Sequence, residues 1–148
     1  MAKQSGAKIR KVAMELDEAL EKGDADKVLK FFDKGCEIEF LGNRLKGKEE
    51  AGKWVKWLSG NFSRIKFKPI TIMVEGDKFF EEFEMKAKFH DGREVSSRLA
   101  EVLVFRDYKV KKLRLYFDMM DFMQSGGTVI RKMLIKKLVS KAMKGLKE

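Results

Sequence analysis

The stretch from Arg98 to Asp118 constrains the fold of this chain more than any other, because it has the pattern of two strands joined by a tight turn. Its first half contains an unbroken apolar run, Val102 to Phe105, which is typical of a strand buried on both faces. A polar break at residues 107–109 follows. The second half then alternates, which places three apolar side chains on one face of a strand, at Leu113, Leu115 and Phe117. We expect these three to line one cavity, with Arg114 and Tyr116 facing outward.

Glu101 is the residue of this hairpin that breaks the apolar pattern. It has the same parity as Leu99, Leu103 and Phe105, so it points where apolar side chains point. A carboxylate on such a face must be hydrogen-bonded, paired, protonated or beside a cavity. We expect Glu101 to lie in the concave pocket, mostly buried, with a raised pKa. The alternative is an ion pair with Arg98, Arg114 or a dimer partner.

The order of the elements defines the fold class. Helical spacing of apolar residues predicts a helix over residues 7–22, a short helix after Asp24, and a third helix from about Lys48 to Ser59. A strand, Cys36 to Leu41, precedes the third helix, and strands with intervening turns fill the chain from Ile65 to Asp118. Helices followed by a strand meander indicate an α+β domain over residues 1–125, with the N-terminal helices packed on a curved antiparallel sheet.

The composition excludes several kinds of protein. The chain has 148 residues, one cysteine and one histidine, so we expect no internal disulfide, no metal site and no cofactor. No apolar run reaches the roughly 18 residues that span a membrane, and no signal peptide is evident. We therefore expect a cytoplasmic protein.

Positive charge is concentrated at the two ends of the chain. Residues 1–11 contain four basic residues and no acid, and residues 128–148 contain seven basic residues and one acid. The segment 126–148 is predicted to be a basic amphipathic helix over residues 128–147, and five of its apolar side chains are predicted to be buried: Met133, Leu134, Leu138, Ala142 and Leu146. This helix docks on the body or a second subunit, or it contacts a membrane surface. Nucleic-acid binding is disfavoured, because the body is neutral and no aromatic residues lie among the lysines.

Four sequence patterns resemble the NTF2-like superfamily, which includes ketosteroid isomerases, SnoaL-like polyketide cyclases and limonene epoxide hydrolase. They are E-K-G-D-A-D at the first helix break, the strand I-E-F-L-G, the helix start L-K-G-K-E-E-A, and the hairpin A-E-V-L-V-F-R-D-Y-K-V-K-K-L-R-L-Y-F-D. The resemblance covers about Ile9 to Phe122. It implies a cone in which helices and sheet enclose an apolar pocket for a small apolar molecule, and a homodimer formed through the sheet.

The resemblance also implies candidate site residues. Glu39, in I-E-F-L-G, lies where ketosteroid isomerases have their proton-shuttling carboxylate, and Glu101 lies where they have a protonated oxyanion-hole aspartate. Leu16 stands at the position of their oxyanion-hole tyrosine. The implied pocket lining is Leu16, Trp57, Leu113, Leu115 and Phe117. Epoxide hydrolysis is disfavoured, because Leu115 stands where limonene epoxide hydrolase has an aspartate.

Two functions follow from these residues. The first is an isomerase-like or cyclase-like enzyme in which Glu39 and Glu101 transfer a proton, since desolvation raises a carboxyl pKa toward neutrality. The second is a non-catalytic ligand-binding or assembly module whose basic tail contacts a partner or a membrane. The non-catalytic module is favoured by the leucine at position 16, where the ketosteroid isomerases have a tyrosine. It would also be favoured if Glu39 were a solvated residue at the end of its strand.

Overall fold

The computed structural model describes residues 3–125 and 129–146. It has the predicted α+β architecture, in which helices pack against a six-stranded sheet. The elements in chain order are α1 (Gly6–Lys22), α2 (Ala25–Lys30), β1 (Phe32–Phe40), β2 (Asn43–Lys46), α3 (Gly47–Asn61), β3 (Phe62–Glu75), β4 (Lys78–Phe89), β5 (Glu94–Arg106), β6 (Lys109–Phe117), α4 (Met119–Ser125) and α5 (Val129–Ala142). No helix in these described ranges is long and apolar enough to cross a membrane.

Helix α1 has clear start and stop signals in the sequence. The Ser5 side chain accepts a hydrogen bond from the backbone N–H of Lys8, as an N-cap does. Gly23 ends the helix in a left-handed conformation, φ 67°, which favours glycine. Between these caps, one face of α1 is buried by four apolar side chains, at Ile9, Ala13, Leu16 and Ala19. This face anchors α1 on the sheet.

The sheet has the strand order β2-β1-β6-β5-β4-β3. The predicted hairpin of β5 and β6 is present, with Leu103 opposite Leu113 and Glu101 opposite Leu115. The sheet is antiparallel, as predicted, except that β1 pairs with β6 in parallel. The chain leaves β1, crosses through α3 and the meander, and returns to β1 in the same direction. Local sequence patterns do not encode such a long-range pairing.

Strand β3 lies at the edge of the sheet and contains Pro69. An edge strand tolerates proline, because the missing N–H is not needed by a second neighbour. The pairing of β3 with β4 shifts between Pro69 and Thr71, which marks a bulge. Bulges bend a strand and increase its twist, so this one contributes to the curvature of the sheet around the helices.

Residues directly opposite one another on paired strands share a face of the sheet. One row across the sheet contains Ile38, Leu113, Leu103 and Phe79, all fully buried beneath the helices. We call this side the concave face. The next row, which includes Glu39 and Arg114, points the other way, and we call that side the convex face. Tyr116 lies on the convex face and is exposed, as predicted.

Helix α5 differs from the prediction in how its side chains are exposed. The helix is also shorter than predicted, because it ends at Ala142 and residues 143–146 form turns. The predicted ends at residues 128 and 147 lie outside the described residues. The five side chains that were expected to be buried are exposed: Met133, Leu134, Leu138, Ala142 and Leu146. Ile135 is buried instead. Successive helical residues differ in direction by about 100°, so neighbouring apolar positions such as Met133, Leu134 and Ile135 point to different sides and cannot all face the body.

Candidate functional site

Three carboxylates meet under α1 on the concave face of the sheet. Asp17 comes from α1, Glu81 from β4 and Glu101 from β5, and one oxygen of each lies within 4.8 Å of the others. Glu81 is 0% exposed and Glu101 is 7% exposed. We call these three residues the carboxylate cluster. Such a concentration of acid inside a small domain is costly unless the charge is neutralised.

The backbone brings these residues together through strand register and helix placement. Glu81 and Glu101 are directly opposite each other on adjacent antiparallel strands, so their side chains share the concave face. Helix α1 covers that face. Asp17 follows Ala13 by four residues and Leu16 by one, so it lies at the border of the buried side of α1.

Burial is the largest cause of the raised pKa at each of the three carboxyls. It raises the pKa of Glu81 to about 7 and, together with the charge of Glu81, the pKa of Glu101 to about 8. The pKa of Asp17 rises furthest, to about 10, by burial and then by the charges of Glu101 and Glu81. The interaction of the Asp17 carboxyl group with Glu81 lowers the pKa of Glu81 and so offsets part of the effect of burial. The cluster therefore holds protons at neutral pH.

Glu101 is buried with a raised pKa, as predicted, but it is not among the residues that line the cavity described below. Its expected ionic partners are on the other side of the sheet. Arg114 is opposite Val102 and adjacent to Leu115, so it lies on the convex face. Arg98 is opposite Glu84 on the same convex face. The two oxygens of Glu81 also have no hydrogen-bond partner of good geometry among the described residues.

An apolar cavity of about 480 Å³ lies on the same concave face, between α3, α4 and the sheet. Aromatic rings form much of its wall. Phe40 makes an edge contact with Trp57 at 5.2 Å between ring centroids and stacks on Phe117 at 5.4 Å. Phe122 from α4 contacts Phe117 at 5.3 Å. The rings and the neighbouring leucines and methionines leave few polar groups facing a bound molecule.

One member of the carboxylate cluster, Glu101, neighbours two side chains that line this cavity. Leu99 and Leu115 both line the cavity. Leu115 is directly opposite Glu101 on the neighbouring strand, and Leu99 is two residues before Glu101 on its own strand. Glu101 is therefore next to two of the lining side chains and shares their face of the sheet. A carboxyl group of raised pKa beside an apolar cavity is a frequent arrangement at sites of proton transfer.

The structure places the five predicted lining residues in two locations. Trp57, Leu115 and Phe117 line the cavity. Leu16 and Leu113 lie outside this lining and belong to the main apolar core, where each is 1% exposed. Both are on the correct side of their elements, but they are covered by the packing of α1 on the sheet.

The structure does not bring Glu39 and Glu101 together. Glu39 is opposite Arg114 on β6, whereas Glu101 is opposite Leu115, the next residue along that strand. Adjacent residues of a strand face opposite sides, so Glu39 lies on the convex face. Its carboxylate is 3.8 Å from the ammonium group of Lys112. This geometry separates the two carboxylates that the resemblance had paired.

The carboxylate cluster also has the donors that a hard divalent cation prefers. Three carboxylate oxygens within 4.8 Å of one another can bind Mg²⁺ or Ca²⁺. The prediction of no metal site rested on the lack of histidine and cysteine ligands, and it did not consider a cluster made of carboxylates alone. Protons neutralise the same charge without a metal, as the raised pKa values indicate.

Sequence reasoning missed Asp17 and Glu81, although a signal for Glu81 was present. Glu81 has the same parity as Phe79 and Phe83, which are buried. The parity argument that identified Glu101 therefore applies equally to Glu81. Asp17 gave a weaker signal, since it borders the apolar side of its helix.

The fold is that of an NTF2-like protein, in which helices pack on a curved sheet, and here the concave face of the sheet has an apolar cavity and a group of acidic side chains. Within that class, the chain belongs to the SnoaL-like domain family, whose model matches residues 14–113. A comparison with curated proteins finds no match.

Several solved structures share this fold. An NTF2-like protein from Burkholderia pseudomallei has a TM-score of 0.74 and 14% identity, with 82% of this chain and 98% of that chain covered. An LEH-like epoxide hydrolase from M. tuberculosis has a TM-score of 0.71 and 18% identity, covering 93% and 97%. A protein of ketosteroid isomerase-like fold from Catenulispora acidiphila, in complex with trimethylamine, has a TM-score of 0.71 and 12% identity, covering 78% and 92%. At these identities the similarity establishes the fold alone.

Proposed function

We propose that this protein binds a small apolar molecule in the cavity and that the carboxylate cluster moves a proton on it, as an isomerase-like or cyclase-like enzyme would. The observation that carries the proposal is the position of Glu101 beside Leu99 and Leu115, which both line the cavity. A molecule in the cavity would then lie against the leucine side chains that neighbour the buried Glu101.

The cluster supplies a base and a hydrogen-bond donor for a proton transfer. We assign the base to Glu101, because it borders the cavity and desolvation makes its carboxylate more basic. Asp17 keeps its proton to the highest pH of the three, so it is the carboxylic acid best suited to donate a hydrogen bond. Such a donor stabilises negative charge that develops on a substrate oxygen. In this assignment Glu101 takes the role of base that the resemblance gave to Glu39. Asp17 takes the role of hydrogen-bond donor that Leu16, the residue before it, cannot fill.

Replacing Trp57 by alanine should weaken binding of an apolar probe. Trp57 lines the cavity and is 46% exposed, so its truncation removes ligand contacts at little expense to the core. We expect the Kd of N-phenyl-1-naphthylamine, followed by its fluorescence, to rise about tenfold. Ile70→Ala is the matched control, since Ile70 is 48% exposed and lies on the edge strand β3 outside the cavity lining. Equal Kd values for wild type and Trp57→Ala would place the probe elsewhere.

Replacing Glu101 by glutamine should abolish proton transfer. The test reaction is exchange of the acidic C–H protons of 2-tetralone for deuterium in D₂O, followed by NMR. We expect the wild-type protein to accelerate exchange, with a rate that rises as pH increases through about 7 to 8, where the cluster loses protons. Glu101→Gln should lower the rate by about a hundredfold or more.

Glu39→Gln is the matched control for this experiment, because Glu39 lies on the convex face beside Lys112. It should leave the exchange rate unchanged. A loss of exchange in Glu39→Gln, with Glu101→Gln unaffected, would contradict our assignment of the base.

A non-catalytic ligand-binding module is the second candidate function. The observation in its favour is that Glu101, although it borders the cavity, is not one of the residues that line it. The two experiments above separate the candidates, because a pure binding module would bind the naphthylamine probe and leave the exchange of 2-tetralone at the rate of buffer.

We also propose that the protein forms a homodimer through the convex face of the sheet. Tyr116 is exposed there, and Val102 and Phe80 are only half-buried. A second copy would cover these side chains. Sedimentation equilibrium should give twice the chain mass of 17.2 kDa, and a monomer mass across the concentration range would contradict the proposal.

A further inference from the structure

Helix α5 exposes a large apolar surface. Leu134 is 57% exposed and Leu138 is 62% exposed, and Met133, Val139, Met143 and Leu146 are exposed as well. Among the described side chains of this segment, Ile135 is buried. Apolar surface of this extent on a monomer marks a contact site for a partner or a membrane.

The charges between these apolar residues are all positive. Lys136, Lys137, Lys141 and Lys144 are exposed, and residues 129–146 contain no acidic residue. An anionic surface would complement this charge. A second α5 would not, because it would bring lysines against lysines. Nucleic acid would complement the charge but would leave the exposed leucines and methionines in water.

Helix α5 is also next to the cavity. It contacts α4, and α4 supplies Met119, Phe122 and Met123 to the cavity lining. Three of the residues that line the cavity are exposed to solvent: Leu41, Trp57 and Met119. A membrane or a partner molecule bound to α5 would therefore lie close to the cavity.

We propose that α5 binds the surface of a bilayer that contains anionic lipid, and that the cavity takes its apolar ligand from that bilayer. The second clause rests on the proposed function of the cavity. Exposed apolar side chains enter the interfacial region of the bilayer, while lysines reach the lipid phosphates on their long stems. The ligand class that follows is a small apolar molecule that partitions into lipid.

The test measures binding of the full chain to vesicles of phosphatidylcholine with and without phosphatidylglycerol, at low and high salt. We expect binding to the anionic vesicles that weakens with salt, because the lysine contribution is screened. The double variant Lys136→Gln/Lys137→Gln should weaken binding about fivefold for each lysine. The double variant Leu134→Asp/Leu138→Asp should weaken it about tenfold or more. Ile70→Asp is the matched control on a distant exposed apolar side chain, and it should bind as wild type does.

Three outcomes would overturn the proposal. They are the absence of vesicle binding, equal binding to vesicles without phosphatidylglycerol, and wild-type binding by both α5 variants. A self-association that Leu134→Asp/Leu138→Asp breaks, in the absence of vesicle binding, would assign α5 to a second copy instead. Binding of N-phenyl-1-naphthylamine in solution reports on the cavity alone. Vesicle binding without probe binding would therefore reject the cavity function and leave the membrane contact standing.

Discussion

The free energy of unfolding should fall as pH rises above about 5, and the carboxylate cluster is the reason. The pKa values of Asp17, Glu81 and Glu101 are raised above their unfolded values of 3.8, 4.5 and 4.5. The native state therefore binds more protons than the unfolded state between these values and the native ones. The stabilisation is complete below the unfolded pKa values and is lost as pH rises through about 7 to 8 and beyond. Each excess proton contributes a slope of about 1.4 kcal/mol per pH unit.

Urea denaturation between pH 5 and pH 9 measures this slope. Glu101→Gln removes one titrating group and keeps the shape of the side chain, so its pH dependence should be shallower and it should be more stable than wild type at pH 9. Glu39→Gln serves as the control, because its carboxylate is on the convex face near Lys112. Parallel curves for wild type and Glu101→Gln would mean that Glu101 does not hold a proton in the native state.

Phe79→Ala should be among the most destabilising single substitutions in the chain. Phe79 is 0% exposed in the main apolar core, opposite Leu103 and beneath the helices. Removing a buried phenyl ring loses its transfer free energy and leaves a cavity, so we expect a loss of about 3 to 5 kcal/mol in the free energy of unfolding.

The conservative variant Phe79→Leu controls for the position itself. It retains most of the apolar volume and should cost less than about 1.5 kcal/mol. Chemical denaturation of both variants at pH 6 gives the comparison. A loss in Phe79→Ala no larger than that in Phe79→Leu would contradict the placement of Phe79 in the core between the helices and the sheet.

Local patterns predicted the parts of the structure that local geometry controls. Strand alternation gave the β5–β6 hairpin and placed Glu101 on the apolar face, because the side-chain period of a strand is two. Applied to β4, the same rule would have identified Glu81 between Phe79 and Phe83. Two of the three residues of the carboxylate cluster, Glu81 and Glu101, could therefore be predicted from strand alternation alone.

The pairing of Glu39 with Glu101 failed for a physical reason. Glu39 was chosen because its position in the strand matches the position of the family's carboxylate, but the face that it occupies is set by the alternation of β1. β1 pairs in parallel with β6, a strand far along the chain, and this register places Glu39 opposite Arg114. The alternation of β1 alone also places Glu39 on the convex face, because its neighbours Ile38, which is fully buried, and Phe40, which lines the cavity, are on the concave face.

The exposure of α5 was also beyond local reasoning. Apolar residues at helical spacing predict a helix, and α5 is one. Whether its side chains are buried depends on the surface it meets. The described part of α5 buries Ile135 and leaves Leu134 and Leu138 exposed. The prediction that these side chains are buried against the body was therefore wrong, whereas their docking on a second subunit stays a prediction.

The most direct test of the account is an NMR titration of the side-chain carboxyl carbons of Asp17, Glu81 and Glu101, with and without N-phenyl-1-naphthylamine. The account predicts that at least one of the three retains its proton at pH 7, and that its titration shifts when the probe occupies the cavity. Titration of all three near their unfolded values of 3.8 and 4.5, unchanged by the probe, would contradict both the protonated cluster and its link to the cavity.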